Sequence, residues 1–141
     1  MSYYPAPAEV ASMADLRDLT AADLMHLRSQ AAQLVAEVTH TEAERLHATR
    51  LLGWLRAELA DRALQELAEA EHAAALALLH QAERLGVHHH LTGGGYDQLH
   101  TARLLIATGR AQRTQGRHLV AEVHATLTDE LATIARREVL A

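Results

Sequence analysis

Eleven histidines and eighteen acidic residues in a chain of 141 are the side chains with the clearest chemical capacity, because imidazole and carboxylate together form the donor sets of zinc and non-haem iron. Three pairs have the spacing Glu-x-x-His: Glu37 with His40, Glu44 with His47, and Glu69 with His72. On a helix, that spacing sets both groups on neighbouring turns of one face. His88, His89 and His90 are consecutive, with His100 beyond them. Adjacent side chains diverge, so this triplet reads as a solvated polar loop, with metal capture expected only between copies.

The Glu-x-x-His spacing also carries the ligands of ferritin-like di-iron bundles, where such pairs point into the core beside glutamates from other helices. Here His72 falls roughly opposite a seam through Ala70 and Ala74, and His47 falls away from Leu52 and Leu55. Both are expected to face outward, and on a continuous helix Glu37 and Glu69 lie about 50 Å apart. No metal and no cofactor is therefore expected. A His/Glu metal-binding, ferritin-like helical bundle stands as the alternative.

Arg103, Arg110 and Arg117 recur every seven residues, His124 continues the row, and no acid occurs between Gln98 and Ala121. Such a stripe could follow phosphates, but the formal net charge is −5 and stacking aromatics are absent nearby apart from Tyr96. Nucleic acid is not expected as a partner. Glu58, Asp61, Glu66, Glu69 and Glu71 precede the row in sequence, which points to ion pairing between helices instead.

Cysteine is absent, which removes disulfides, thiolate ligands and cysteine nucleophiles. Ser2, Ser12 and Ser29 sit in no nucleophile elbow, and Gly93-Gly94-Gly95 follows no strand as a phosphate-cradling loop would. The chain is expected not to be an enzyme. Lys and Asn are missing altogether, a bias that tracks GC-rich codons and makes arginine a weak sign of anion recognition. Met1 to Val10 lacks the basic and apolar regions of a leader, and no apolar run approaches the roughly 18 residues of a membrane span, so a cytoplasmic location without a membrane is expected.

Ala and Leu dominate the apolar set, Phe is absent and Trp54 is the sole tryptophan; this composition favours helix over strand. The expected fold is all-α: an elongated antiparallel helical hairpin with an additional N-terminal helix, a three-helix bundle or coiled coil, with a compact four-helix bundle as the alternative. Residues 1–14, holding Pro5 and Pro7, are expected to form an extended arm, and 15–141 a single α-helical domain. Within it the expected helices are 15–40, 42–85 and 97–139, with a loop over 86–96.

Each boundary has a physical reason. Asp15 or Thr20 can cap the first helix, whose seam runs Leu24, Leu27, Ala31, Leu34, Val38, and Thr41 with Glu44 has the form of a capping box. The second seam runs Ala48, Leu52, Leu55, Leu59, Ala63, Leu67, Ala70, Ala74, Leu78. Gly86 suits a helix C-terminus, and the glycine run beyond it is the place for the chain to reverse. The two arms, about 44 residues each, would span roughly 65 Å. The third seam includes Ala102, Leu105, Gly109, Gln112, Gly116, Val120 and Val123 and continues to Ile134. Gly109 and Gly116 would admit another helix closely on that face; alternatively, because Thr108 to Arg117 is polar, 109–116 is a turn between two shorter helices.

Narrow Ala/Leu seams bury little in one chain, so the expected role is that of a non-enzymatic interaction or structural protein. It would form a homo-oligomer or dock on a protein partner. The expected interface residues are Leu51, Trp54, Leu55, Gly109, Gly116, Val120 and Val123. The paired leucines beside Trp54 suggest that this region meets a third helix or another subunit.

Overall fold

A computed structural model describes residues 5–86 and 94–140, and every regular element in them is helical. Four α-helices follow two short 3₁₀ turns: α1 (Ala21–Ala36), α2 (Glu42–Arg84), α3 (Gly94–Thr108) and α4 (Arg110–Leu140). The protein is thus an all-α helical bundle. The histidine triplet and residues 1–4 of the expected arm lie outside the described residues, as does most of the 86–96 loop. Contacts divide the chain into two compact units, Met1–Ala63 and Leu64–Ala141, where the sequence reading drew one domain over 15–141.

In the first unit, Thr20 caps α1 by accepting from the Asp23 amide at 3.1 Å, while Asp23 returns a bond to the Thr20 amide at 3.2 Å. Thr41 and Glu44 make the corresponding reciprocal pair at the start of α2. These boxes satisfy amides that a helix leaves without partners. The first helix consequently starts at Ala21 rather than 15, and it ends at Ala36, leaving Val38 exposed. Leu24, Leu27 and Ala31 of α1 bury against Ala48, Leu51 and Leu55 of α2.

The N-terminal segment is not an extended arm from residue 5 onward. It turns through 3₁₀ helices at Pro7–Glu9 and Met13–Leu16, and Val10 and Leu16 enter the same core. The wide apolar face around Leu51 and Leu55 is met by this segment of its own chain. Arg62 holds the segment down: its Nη2 donates to the carbonyls of Leu16 (3.1 Å), Arg17 (3.2 Å) and Leu19 (2.6 Å), and its Nε donates to Glu58 at 2.9 Å.

In the second unit, α2 ends as expected near residue 85, at Gly86 with φ +71°, a left-handed conformation that glycine adopts without a Cβ penalty. The continuous third helix expected over 97–139 is two helices. Gly109 alone separates them, and its carbonyl accepts the Arg113 amide at 2.7 Å to begin α4. A Cβ on Gly116 would come within 2.7 Å of the Ala102 carbonyl oxygen, so α3 and α4 fold back on one another. Reversal lets Leu99, Ala102 and Ile106 bury against Val120, Val123 and Leu127, which one long helix could not do.

Directions within this unit follow from its cross-links. His72 of α2 bonds the Leu99 carbonyl of α3, and Tyr96 of α3 bonds Glu83 of α2, so these helices are antiparallel. Arg113 and Arg117 of α4 meet Gln65 and Glu71 of α2, so α4 runs parallel to α2. The pairing of α2 with the chain's last long helix is therefore the reverse of the antiparallel arms expected.

Candidate interaction surface

The second half of α2 carries two apolar stripes. Ala68, Ala75, Leu79 and Ala82 are buried against α3 and α4. Leu67, Ala70 and Ala74 are the stripe read from the sequence as core, and they are exposed, as is Leu85, while Leu78 is half-buried. Leu67 keeps 48% of its surface in water and Leu85 52%. Burying a leucine fully is worth about 1.5–3 kcal/mol, so this face is left with an appreciable driving force for association.

Beside that stripe, α2 and α4 enclose a shallow groove of about 330 Å³ lined by Glu71, Ala74, Val120, Ala121, His124 and Ala125. Its polar end is tied off, because Arg117 donates from Nη2 to Glu71 Oε1 at 2.7 Å and from Nε at 3.0 Å. This is one interhelical ion pair of the kind the arginine row implied. The row itself is split by the turn at Gly109, with Arg103 on α3 and Arg110 and Arg117 on α4.

On another side of this unit lies a polar cleft of about 500 Å³, lined by Gln65, Glu69, His72, Arg103, Ile106 and Ala107. Arg113, 7% exposed, donates from Nε to Gln65 Oε1 at 2.7 Å, and Gln65 donates in turn to Glu69 Oε1 at 3.0 Å. The relay satisfies a guanidinium that packing has pulled out of water.

The three Glu-x-x-His pairs go separate ways. His40 sits in the turn between α1 and α2, with Nε2 2.7 Å from Glu37 and Nδ1 3.5 Å from Glu44. The bond to Glu37 and, secondarily, the one to Glu44 raise its pKa above the ordinary 6.5, while the Thr41 bonds lower that of Glu44. His47 and His72 do not face outward as expected. Both are half-buried, His47 3.1 Å from the Pro7 carbonyl and His72 2.9 Å from the Leu99 carbonyl. The expectation failed for His72 because it assumed the wrong α2 stripe was the core. Among the described residues, no three of His, Asp and Glu converge as a metal would require.

Of the expected interface residues, Leu51 and Leu55 lie in the first unit's core and Val120 and Val123 in the second's, all at 2% exposure or less. Gly116 is buried under α3 and Gly109 is half-buried at the turn. Trp54 packs half-buried on the first unit's core, its ring edge-on to His47 at 6.1 Å. The apolar area of most of these residues is thus used within the chain. The exposed candidates are Leu67, Ala70 and Ala74 on α2 and Ala121 and Ala125 on α4. Their spacing is legible in the sequence, but a second stripe with equally good spacing competes for the same core.

An all-α helical bundle with an open apolar groove is the class of protein that the fold and this surface define. No helix among the described residues is long and apolar enough to cross a membrane. Comparison with known proteins finds no matching family model, no similar curated protein and no similar solved structure.

Proposed function

We propose that this protein is a non-enzymatic helical interaction module that associates through the Ala/Leu-rich face of its second unit, with self-association the primary mode. The observation that carries the reading is the second stripe of α2, where Leu67, Ala70, Ala74 and Leu85 remain exposed while the stripe beside it is buried. A helix with two apolar stripes and one buried has room for a further helix, and filling it completes a four-helix arrangement around α2. Glu71 at the groove's edge is already paired with Arg117, so a docking apolar helix does not strand an unpartnered carboxylate.

Light scattering on the purified full chain over a wide concentration range tests this. A mass that rises with concentration is expected, and Ala74→Glu is expected to hold the protein monomeric with unchanged far-UV circular dichroism, since Ala74 lines the groove and lies outside the buried core. A protein that stays monomeric at every concentration defeats self-association.

A further inference from the structure

Helix α4 outlasts its neighbours. Residues 135–139 are exposed on every side of the helix, Val139 at 83%, so these last turns have no tertiary packing to hold them. Nevertheless they carry an apolar stripe that begins far back on α4: Ala121, Ala125, Thr128, Ala132, Ala135 and Val139, spaced four, three, four, three and four residues apart and all exposed. That alternation keeps a seam on one side of a helix that pairs with another helix. The first members of the seam, Ala121 and Ala125, line the α2–α4 groove, and the last members are the unsupported turns.

We infer that the groove of one copy takes the overhanging end of α4 from a second copy, with the two α4 helices paired antiparallel about a two-fold axis near residue 130. This rests on the self-association proposed above and names its geometry. In that register Ala121 lies opposite Val139 of the second copy, Ala125 opposite Ala135, and Thr128 opposite Ala132. The seam is used along its whole length, and each overhang lies in the other copy's groove.

The charges flanking the seam suit the antiparallel direction. Glu122 and Arg136 flank one side of the seam, His124 and Glu138 the other. Antiparallel pairing faces each flank with its own counterpart, bringing Glu122 beside Arg136 and His124 beside Glu138, whereas parallel pairing would leave both overhangs outside the grooves. The one like-charged meeting is Asp129 with its own copy at the axis. Alanine at the seam lets the helices approach closely. The seam from Ala121 to Val139, 18 residue steps, is about 27 Å long. With a neighbouring helix contributing on each side, the footprint is on the order of 500 Å² per copy, about 1,000 Å² in all, the lower bound for a specific interface. The dimer is therefore weak and concentration-dependent.

The chain's lack of cysteine makes disulfide trapping a clean test. Single variants Ala121→Cys, Ala125→Cys, Thr128→Cys and Ala132→Cys of the full chain would be mildly oxidised at a concentration where light scattering reports dimer. Cross-linked dimer is expected to peak at Thr128→Cys and Ala132→Cys and to fall to background at Ala121→Cys, and Asp129→Asn is expected to tighten the dimer severalfold. Equal trapping at every seam position would show parallel pairing, and no trapping with the dimer still present would show another face in use. Either result overturns this geometry and leaves the broader reading standing, whereas absence of dimer defeats both.

Discussion

Replacing Gly116 by alanine adds one methyl group at the closest approach of α3 to α4. The new Cβ would lie 2.7 Å from the Ala102 carbonyl oxygen, 2.9 Å from Ile106 Cγ1 and 3.2 Å from the Ile106 amide nitrogen. Two of these three are backbone atoms, which no rotamer change can move aside. The helices must separate, and Ala102, Ile106 and Val120 lose packing with them. Overpacking of this kind costs about 1–3 kcal/mol, at the upper end where backbone is struck. Alanine's better helix propensity offsets about 1 kcal/mol. The expected net loss is about 2 kcal/mol, which for a unit of this size lowers Tm by about 10 °C. Gly53→Ala is the internal control. Gly53 lies inside α2 with nothing within 4 Å of the added Cβ, so the same change there should stabilise by about 0.5–1 kcal/mol. Urea and thermal unfolding followed by circular dichroism measure both. If Gly116→Ala stabilises as Gly53→Ala does, α3 does not lie against Gly116, and the reversal at Gly109 is refuted.

Two further outcomes probe the first unit. Arg62→Met keeps the aliphatic stem but strips three carbonyls and Glu58 of their donor; it should cost about 1–3 kcal/mol and speed proteolysis within residues 10–20, and unchanged cleavage there would refute the strapping role. His40 should titrate above 6.5 because of Glu37 first and Glu44 second. A folded-state pKa above the unfolded value means that its contribution is full below the ordinary pKa and lost as pH rises through the raised one. Ring-proton NMR should show the midpoint falling toward 6.5 in Glu37→Gln, and an unmoved midpoint would remove Glu37 as the cause.

The all-α class, the extent of α2 to within a residue and the Thr41–Glu44 capping box are legible in the sequence, and Thr20 is one of the two caps it offers for α1, because each depends on side chains within a few positions of one another. Thr41 with Glu44 and Thr20 with Asp23 are local hydrogen-bonding devices, and Gly86 ends α2 through its own backbone freedom. The N-terminal segment was misread because two prolines describe its backbone but not the burial of Val10 and Leu16, which depends on a helix some forty residues away. The split at Gly109 is present in the sequence only as the alternative of a turn over 109–116, not as the favoured reading. A glycine in a helical pattern costs little, and only the fit of Gly116 against Ala102 and Ile106 makes the reversal favourable.

The candidate surface shows the same division. Amphipathic spacing marks one apolar seam on the second helix and one on the last, since periodicity is a property of the chain alone. Which stripe becomes core is a tertiary decision. Leu67, Ala70 and Ala74 have spacing as good as that of Ala68, Ala75 and Leu79, but burial went to the stripe that α3 and α4 could reach together. Hydrophobic attraction is non-directional, so shape complementarity between distant segments chose among equivalent faces. The stripe not chosen is the part of the molecule left to bind something else.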